Sequence, residues 1–265
     1  MAVFRGLEGT FDTVASVYEK FRPGYVEELY KEIFRYRLIT EASKVVEIGI
    51  GGGQATLPFL QTGCELTAVE YGANFSELCK EKFREYPKFS VITGKFEETV
   101  LEKEFYDMVF SASAFHWVPE EIGYPKVFSM LKRGGCFARF ANHPFRDKEK
   151  SELSQEIDRL YGEYYYKFYH KEQKPLTEYS EEQARLRALV AKKYGFTDIR
   201  YFLFQRTRTF TAKEYITLLG TYSDHIAIEE TVRTEFFAKL EEAICHYGGL
   251  ITLYDTIDLQ LARKP

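Results

Sequence analysis

The chain has 265 residues, of which 45% are apolar, and it carries 36 basic and 40 acidic side chains. This length supplies one large core with a small accessory lobe, which predicts a globular protein. The slight acidic excess provides no broad positive field for a phosphate backbone and therefore argues against a nucleic-acid substrate. No apolar run approaches a membrane span or a signal-peptide core, so we expect a cytoplasmic protein that does not bind a membrane.

From about residue 44, short apolar runs alternate with amphipathic stretches, which is typical of a parallel sheet with helices on both faces. The predicted strands cover residues 44–48, 65–70, 89–93, 106–111 and 135–140. Helices are predicted over 74–86 and from Pro119 to Leu131, where a proline suits the first turn.

The alternation lapses after residue 145, and residues 147–194 read as a long helical insertion. Capping-box spacing marks further helix starts at Ser180 and Thr211. A strand at 198–206, a helix at 228–247 and a last strand at 250–261 complete the chain.

One face of the insertion is aromatic. Its members recur at helical spacing, and they are Tyr161, Tyr164, Tyr165, Phe168 and Tyr169. This face either packs against the core as an ordinary helix or lines a substrate pocket as a lid.

The first predicted strand runs into a glycine-rich turn with Gly49, Gly51 and Gly53, and a helix is expected to continue with residues 55–57. Such a turn lets a ligand approach bare backbone. In a dinucleotide-binding fingerprint the third glycine would fall at Gln54, so the spacing differs. Glu47, at the end of the strand, would repel a pyrophosphate but suits a ligand with an ammonium or sulfonium group.

Glu70 closes the second strand, a position from which a carboxylate can accept hydrogen bonds from both ribose hydroxyls. This placement favours a ligand that contains adenosine. The alternative is a solvated glutamate at a strand end.

Several segments in order, VVEIGIGGGQAT, LTAVEYG, TGKFEE, YDMVFSASAFHWV and LKRGGCFARF, resemble the successive motifs of class I S-adenosylmethionine (SAM)-dependent methyltransferases. The resemblance covers roughly residues 40–142. The N-terminal FDTVASVYEKFRPGY is similar to the segment that precedes the sheet in the small-molecule branch containing the trans-aconitate methyltransferases. The resemblance as a whole implies a Rossmann-like, doubly wound α/β sheet, mostly parallel with an antiparallel C-terminal strand, plus a helical cap. It also implies SAM as cofactor, S-adenosylhomocysteine as product and a small-molecule acceptor.

The resemblance also implies a division of the chain. Residues 1–40 form a helical segment over the cofactor site, 41–146 the SAM-binding core, and 147–194 a cap on the acceptor side. Residues 195–265 complete the sheet, with a helical insertion at about 209–247.

Carried over residue by residue, the resemblance places Glu47, Gly49, Gly51 and Gly53 at the methionine end of the cofactor, Glu70 on the ribose and Tyr71 on the adenine. Lys95 stands where many relatives carry Asp, and a lysine cannot accept the adenine amino proton. The backbone of Phe96 and the side chain of Glu97 are the remaining candidates for that contact. The cofactor site further includes Gln54, Ser111, Ala112, His116 and Trp117.

His116 follows the fourth strand, where open α/β sheets bind ligands. It is either a general base for a hydroxyl or amine acceptor or, with Trp117, part of the pocket wall. A carboxylate acceptor would need no base.

Other candidates lie at the two ends of the chain. Phe11, Tyr18, Arg22, Pro23 and Tyr25 predict a helix and turn over the cofactor, with Tyr18 and Arg22 reaching its carboxylate or the acceptor; the alternative is an exposed surface arginine. Asn142, His143 and Arg146 are candidates for the border of the acceptor pocket. Arg206 and Arg208 are expected to face solvent.

No motif for a metal site or a hydrolytic nucleophile is present. Two alternatives to the methyltransferase stay open: a SAM-binding protein without catalysis that acts through a partner, and an NAD(P)-dependent oxidoreductase on a similar sheet.

Overall fold

One seven-stranded sheet organises the computed structural model, which describes residue 12, residues 15–146, residue 148 and residues 151–265. The strands are β1 (Lys44–Ile48), β2 (Glu65–Glu70), β3 (Phe89–Thr93), β4 (Tyr106–Ala112), β5 (Leu131–Arg146), β6 (Thr197–Thr211) and β7 (Leu250–Arg263). The helices are α1 (Ala15–Phe21), α2 (Glu27–Tyr36), α3 (Leu57–Leu60), α4 (Ala73–Lys82), α5 (Glu120–Met130), α6 (Glu152–Leu160), α7 (Glu181–Leu189), α8 (Ala212–Leu219), α9 (Ser223–Ile226) and α10 (Glu230–His246). Phe11 and Asp147 lie outside the described residues.

The strand order is β3-β2-β1-β4-β5-β7-β6. Strands β1 to β5 pair in parallel, and β7 lies antiparallel between β5 and β6. The predicted fold, a mostly parallel Rossmann-like sheet with an antiparallel C-terminal strand, is confirmed. Because the chain moves outward from β1 to β3 and then returns to place β4 beside β1, a crevice opens at the carboxyl ends of these strands.

Helices cover both faces of the central strands, and this explains their continuous apolar runs. On one face Phe59 of α3 stacks on Phe110 of β4, with ring centroids 4.0 Å apart. On the other face Val127 of α5 packs in the same buried cluster as Val109 and Phe137. The most buried strands are therefore those whose ends meet at the crevice.

The last three strands extend past the parallel part of the sheet and carry the helical cap. The register of β5 with β7 reaches Arg146 opposite Leu253, and that of β6 with β7 reaches Thr211 opposite Leu250. Buried side chains of α6, α8 and α10 form one cluster with β7, which includes Leu160, Leu218, Phe236 and Leu253. The cap is thus anchored on the sheet itself.

Two local predictions were wrong in extent. The glycine turn continues as turns to Thr56, and α3 has four residues with a proline in its first turn. Residues 171–180 lack regular structure, so the region 147–194 is not one long helix. Pro175 contributes to this break because it disfavours helical backbone at the preceding residue.

Both predicted capping boxes are present, at the starts of α7 and α8. Among the described helices, none combines the length and apolar character needed to cross a membrane.

Candidate functional site

A cavity of about 440 Å³ lies at the carboxyl ends of the central strands, between α1 and the cap. Its volume falls within the range of roughly 300–1,000 Å³ that is usual for small-molecule sites. The wall brings together most of the predicted site residues, namely Tyr18, Arg22, Gly49, Gly51, Gln54, Glu70, Tyr71, Phe96, Glu97, Ala112, His116 and Trp117. Glu47, Gly53 and Ser111 are not part of the wall.

The glycine turn has left-handed backbone, with φ near +71° at Gly49 and +73° at Gly53. A Cβ atom on Gly49 would meet Ala114 Cβ at 2.4 Å, and one on Gly53 would meet Phe83 Cε2 at 2.6 Å. Gly49 therefore lets the cavity floor pack closely on the loop after β4, whereas Gly53 lets the back of the turn pack on Phe83.

Glu47 is fully buried behind the cavity wall. Thr56 Oγ1 donates a hydrogen bond to Glu47 Oε2 at 2.8 Å, while Glu47 Oε1 has no hydrogen-bond partner in the described part of the chain. Burial raises the pKa of Glu47 to about 8, and the hydrogen bond from Thr56 opposes this shift only in part. Without a cationic neighbour, Glu47 is mainly protonated at neutral pH.

Glu70 connects two turns of the backbone. Its Oε2 accepts from the Gly51 amide at 2.9 Å and its Oε1 from the Gly72 amide at 2.8 Å. Burial raises the pKa of Glu70, and the two amides oppose that shift. The carboxylate thus shapes the cavity floor, and each oxygen keeps a lone pair for a further donor.

The predicted adenine contacts lie on one side of the cavity. Tyr71 is half-exposed, and Lys95 Nζ lies 5.6 Å from the centroid of its ring. Phe96 is buried. Lys126 of α5 holds this loop, because its Nζ donates to the carbonyl oxygens of Phe96, Glu97 and Thr99, the last two at 3.1 and 2.6 Å. The sequence does not predict this role of Lys126, because its hydrogen-bond partners come from a distant segment.

The end of β4 carries the next group of predicted residues. Ser111 is buried behind the wall, where its Oγ donates to the Ile48 carbonyl at 2.8 Å, so it joins β4 to β1. Ser113 adopts φ near +54° and hydrogen-bonds Tyr25 through its hydroxyl at 2.8 Å. This strained residue places the following loop, with His116 and Trp117, in the cavity wall.

The surroundings of His116 make its imidazole a weak base. Burial, followed by the positive charges of Arg187 and Arg139, lowers its pKa to about 3. The imidazole is neutral at physiological pH and is a poor proton acceptor there, because a general base works best when its pKa is near the working pH. Its role as a base stays a prediction that these surroundings disfavour.

Arg22 joins the N-terminal segment to the cap. Its Nε donates to Thr221 Oγ1 at 2.9 Å and its Nη2 to the Thr221 carbonyl at 2.8 Å. The guanidinium lies between the rings of Tyr18 and Tyr222, 4.8 and 3.9 Å from their centroids. Arg22 therefore closes a roof over the cavity and is not a solvated surface arginine.

Asn142 and His143 line the cavity, whereas Arg146 does not. The Arg146 guanidinium forms an ion pair with Asp158 and lies 4.7 Å from the centroid of the Tyr161 ring. These contacts hold Arg146 against the cap helices.

The expectation that Arg206 and Arg208 face solvent was wrong. Both are mostly buried and pair with the fully buried Asp255 of β7, Arg206 through Nη2 at 2.8 Å and Arg208 through Nε at 2.6 Å. Arg206 Nη1 also donates to the Gly24 carbonyl at 2.7 Å. The N-terminal segment covers this face of β6, which alternation along an edge strand could not reveal.

The aromatic face of the insertion packs within the cap and does not line the cavity in the described part of the chain. Residues Tyr161–Tyr166 form a π-helical turn. Tyr165 Oη donates to Asp224 Oδ2 at 2.7 Å, and Tyr161 Oη lies 3.0 Å from His225 Nε2. The face thus positions the α9 segment, from which Asp224 does reach the cavity wall.

Four charged wall residues were not singled out in the sequence, Asp12, Arg139, Arg187 and Asp224, and Arg208, expected to face solvent, also lines the cavity. Arg139 had a signal, because it is the one charged residue in the apolar run 136–140 of β5. Arg187 and Asp224 had none, since each reaches the cavity only through the packing of the cap.

Known proteins resemble this chain in sequence and in fold. Residues 46–138 match the methyltransferase domain family. An uncharacterized methyltransferase of Schizosaccharomyces pombe is 25% identical over 241 residues, covering 89% of this chain and 87% of that protein. One of Geobacillus sp. is 32% identical over 166 residues, covering 58% of this chain and 75% of that protein.

A solved structure shares the fold. The Haemonchus contortus phosphoethanolamine N-methyltransferase 2 in complex with S-adenosyl-L-methionine superposes with a TM-score of 0.54 at 17% identity, covering 96% of this chain and 57% of that chain. With these relatives and this sheet, the chain belongs to the class I SAM-dependent methyltransferase family.

Proposed function

We propose that this protein transfers a methyl group from SAM to a small-molecule acceptor bound in the same cavity. The observation that carries the proposal is the position of the cavity, whose floor is the glycine turn with Glu70 and whose far side is formed by the cap. Membership in the family favours this function over a nicotinamide-dependent oxidoreductase.

The methionine end of SAM suits two polar atoms beside the glycine turn. Glu47 Oε1 and Gln54 Nε2 are buried, and among the described residues neither has a hydrogen-bond partner. An acceptor and a donor without partners match the ammonium and the carboxylate of an amino acid, and a buried polar group is costly if it stays unpaired.

The adenosine end suits the opposite side. Glu70 has lone pairs left for the ribose hydroxyls, and Tyr71 and Phe96 offer aromatic surface for the adenine. The Haemonchus enzyme, which shares the fold, was solved with SAM bound.

Bound SAM would supply a methyl group already activated by its sulfonium, so the protein has to align the acceptor and exclude water. Arg22 and Tyr222 close the roof, and Trp117 and His116 border the point where the cofactor half of the cavity meets the acceptor half. We assign His116 to the wall, as a neutral side chain that orients the acceptor.

The acceptor is a carboxylate, a hydroxyl or an amine of a small molecule. Neither a nucleic acid nor a membrane is expected as partner, and a cytoplasmic location stays a prediction.

Calorimetric titration with SAM, S-adenosylhomocysteine and NADH tests the cofactor, and release of S-adenosylhomocysteine across classes of acceptor tests catalysis. We expect binding of SAM and product and no binding of NADH. Binding of NADH without SAM would refute the proposal. Tight SAM binding with no release across a broad acceptor panel would instead identify a SAM-binding protein that acts through a partner.

A further inference from the structure

The adenine loop, residues 94–99, forms a single helical turn directly after β3. The amides of Glu98 and Thr99 donate to the Lys95 carbonyl at 3.1 and 3.0 Å, and Thr99 Oγ1 donates to the same oxygen at 2.8 Å. Residues 94–97 line the cavity on the side where adenine is expected. The shape of this short turn therefore decides what the adenine half of the cavity offers to a ligand.

Because the turn stops at Thr99, its last carbonyl groups need donors from another element. Among the described residues, no backbone amide donates to the carbonyl oxygens of Phe96, Glu97 and Thr99. Lys126 Nζ of α5 donates to all three. An ammonium group has three N–H donors, so this contact uses every one of them.

Lys126 gives its ammonium to the loop and not to a carboxylate. All hydrogen bonds that the structure describes for Lys126 go to the adenine loop, and its Nζ lies 4.8 Å from the centroid of the buried Phe96 ring. Burial lowers the pKa of Lys126, while the charge of Glu97 opposes that shift. A partly buried lysine with these contacts fixes the shape of the loop.

The helix that carries Lys126 is itself firmly placed. It begins directly after the loop with His116 and Trp117, and a Cβ on Gly123 would meet Phe115 Cζ at 2.8 Å. Val127, the next residue after Lys126, is fully buried. The lysine therefore reaches the adenine loop from an element that is packed against another wall of the cavity.

The other side of the loop is available to a ligand, because the N–H groups of a helical turn point away from its carbonyl groups. In the described part of the chain, neither the Phe96 amide nor the Glu97 carboxylate has a hydrogen-bond partner, and both residues line the cavity. The edge of adenine offers the complementary pair, since its N1 accepts a hydrogen bond and its amino group donates one.

We propose that Lys126 is a positioning residue for the cofactor, whose ammonium holds the adenine loop in the form in which the Phe96 amide and the Glu97 carboxylate meet the edge of adenine. This inference rests on the proposed function, because it requires SAM in the cavity with its adenosine end at Glu70. Lys126 does not line the cavity and therefore acts only through the loop.

The experiment compares the binding of S-adenosylhomocysteine and S-inosylhomocysteine by isothermal titration. Hypoxanthine, the base of the second ligand, has a hydrogen on N1 and a carbonyl oxygen in place of the amino group, so it reverses donor and acceptor. We expect the wild type to prefer S-adenosylhomocysteine by at least about tenfold, because hypoxanthine leaves both groups of the loop unpaired.

Lys126→Met keeps the length of the side chain and removes the ammonium. It should bind S-adenosylhomocysteine at least about tenfold more weakly and S-inosylhomocysteine within about threefold of the wild type, since only adenine depends on the loop geometry. The preference for adenine should therefore be lost.

The matched control is Lys239→Met, because Lys239 of α10 is exposed and pairs with Glu242. Both affinities should stay within about twofold of the wild type in this variant. Lys126→Arg keeps the charge and several donors and should retain part of the preference. If circular dichroism shows that Lys126→Met does not fold, the preference is measured in Lys126→Arg, where a value equal to the wild type would overturn the inference.

Unchanged affinity for S-adenosylhomocysteine in Lys126→Met would also overturn the inference. So would an equal loss for both ligands, which would mean that Lys126 only stabilises the fold, or a wild type that does not distinguish them. Each of these results leaves the proposed methyltransferase intact, because the wild type still binds the cofactor product. Absence of SAM and S-adenosylhomocysteine binding by the wild type would instead refute the proposed function together with this inference.

Discussion

At the scale of single residues, the cofactor half of the site depends on two buried carboxylates that have different partners. Each oxygen of Glu70 already accepts a hydrogen bond from a backbone amide, so its first contribution is the shape of the glycine turn. Glu47 has one hydroxyl partner and one oxygen without any among the described residues. Glu70 therefore has its hydrogen-bond partners in the ligand-free protein, whereas Glu47 needs the ligand to supply a partner for Oε1.

Replacing Glu70 by alanine should weaken SAM binding at least about tenfold, or about 1.4 kcal/mol, because the ribose loses its acceptor and the Gly51 and Gly72 amides lose theirs. Isothermal titration measures the change. Glu70→Gln, which keeps an acceptor oxygen, should lose less, and unchanged affinity in Glu70→Ala would refute the assignment to the ribose.

The affinity for SAM should depend on pH through Glu47. Its pKa of about 8 in the ligand-free protein means that a proton must leave before the carboxylate can attract the ammonium and sulfonium. SAM affinity should therefore rise with pH up to about 8, by at most about tenfold per unit, with release of a proton. Titration in buffers of different ionisation enthalpy checks this, and Glu47→Gln should bind more weakly and without that dependence.

The raised pKa of Glu47 also makes the stability of the ligand-free protein depend on pH. A folded-state pKa raised above the ordinary value of 4.5 means that the contribution of Glu47 to stability is complete below pH 4.5 and is lost as the pH rises through about 8. The free energy of unfolding should fall over this window in the wild type relative to Glu47→Gln. If the free energy of unfolding varied with pH in the same way in both proteins, the raised pKa of Glu47 would be contradicted.

At the scale of elements, the glycine turn and the β4 loop build the floor of the cavity through close backbone packing. Gly53 presses on Phe83 and Gly49 on Ala114, so the left-handed backbone and the missing side chains are both required. The turn therefore aligns β1 with α4 as well as forming the floor.

Gly53→Ala and Gly134→Ala separate the cost of a left-handed backbone from the cost of a clashing side chain. Both glycines have φ near +73°, but a Cβ on Gly134 meets nothing within 4 Å, whereas one on Gly53 meets Phe83. We expect Gly134→Ala to lose about 1 kcal/mol from the backbone alone and Gly53→Ala about 3 kcal/mol with the added overpacking. Urea denaturation measures both, and equal losses would show that the contact with Phe83 relaxes freely.

At the scale of the whole molecule, buried aspartates of β7 organise the arginines around the cavity. Asp255 binds Arg206 and Arg208, and Arg206 also reaches Gly24, so the pair connects the sheet, the N-terminal segment and the cavity roof. Asp258 plays the corresponding part for His143 and Tyr179 on the other face.

Asp255→Asn should lower the free energy of unfolding by about 3–5 kcal/mol, since two guanidinium groups would stay buried without their carboxylate. Thermal and denaturant unfolding measure the loss. Glu182→Gln, which breaks an exposed pair with Arg185, should change stability by less than about 1 kcal/mol. A similarly small effect in Asp255→Asn would mean that water replaces the aspartate.

The sequence by itself determined the parallel core, the glycine turn and the strand-end position of Glu70, because apolar periodicity, turn chemistry and the order of strand ends are local properties of the chain. It also placed His116 after β4, but the pKa of that imidazole depends on Arg139 and Arg187, which are far away in the sequence. Only the tertiary structure decided that Arg206 and Arg208 are buried, that Arg22 closes the roof and that one Asp258 faces two cavity arginines. The reason is that side-chain alternation predicts which face of an element a residue occupies, whereas the burial and charge of that face depend on which distant element covers it.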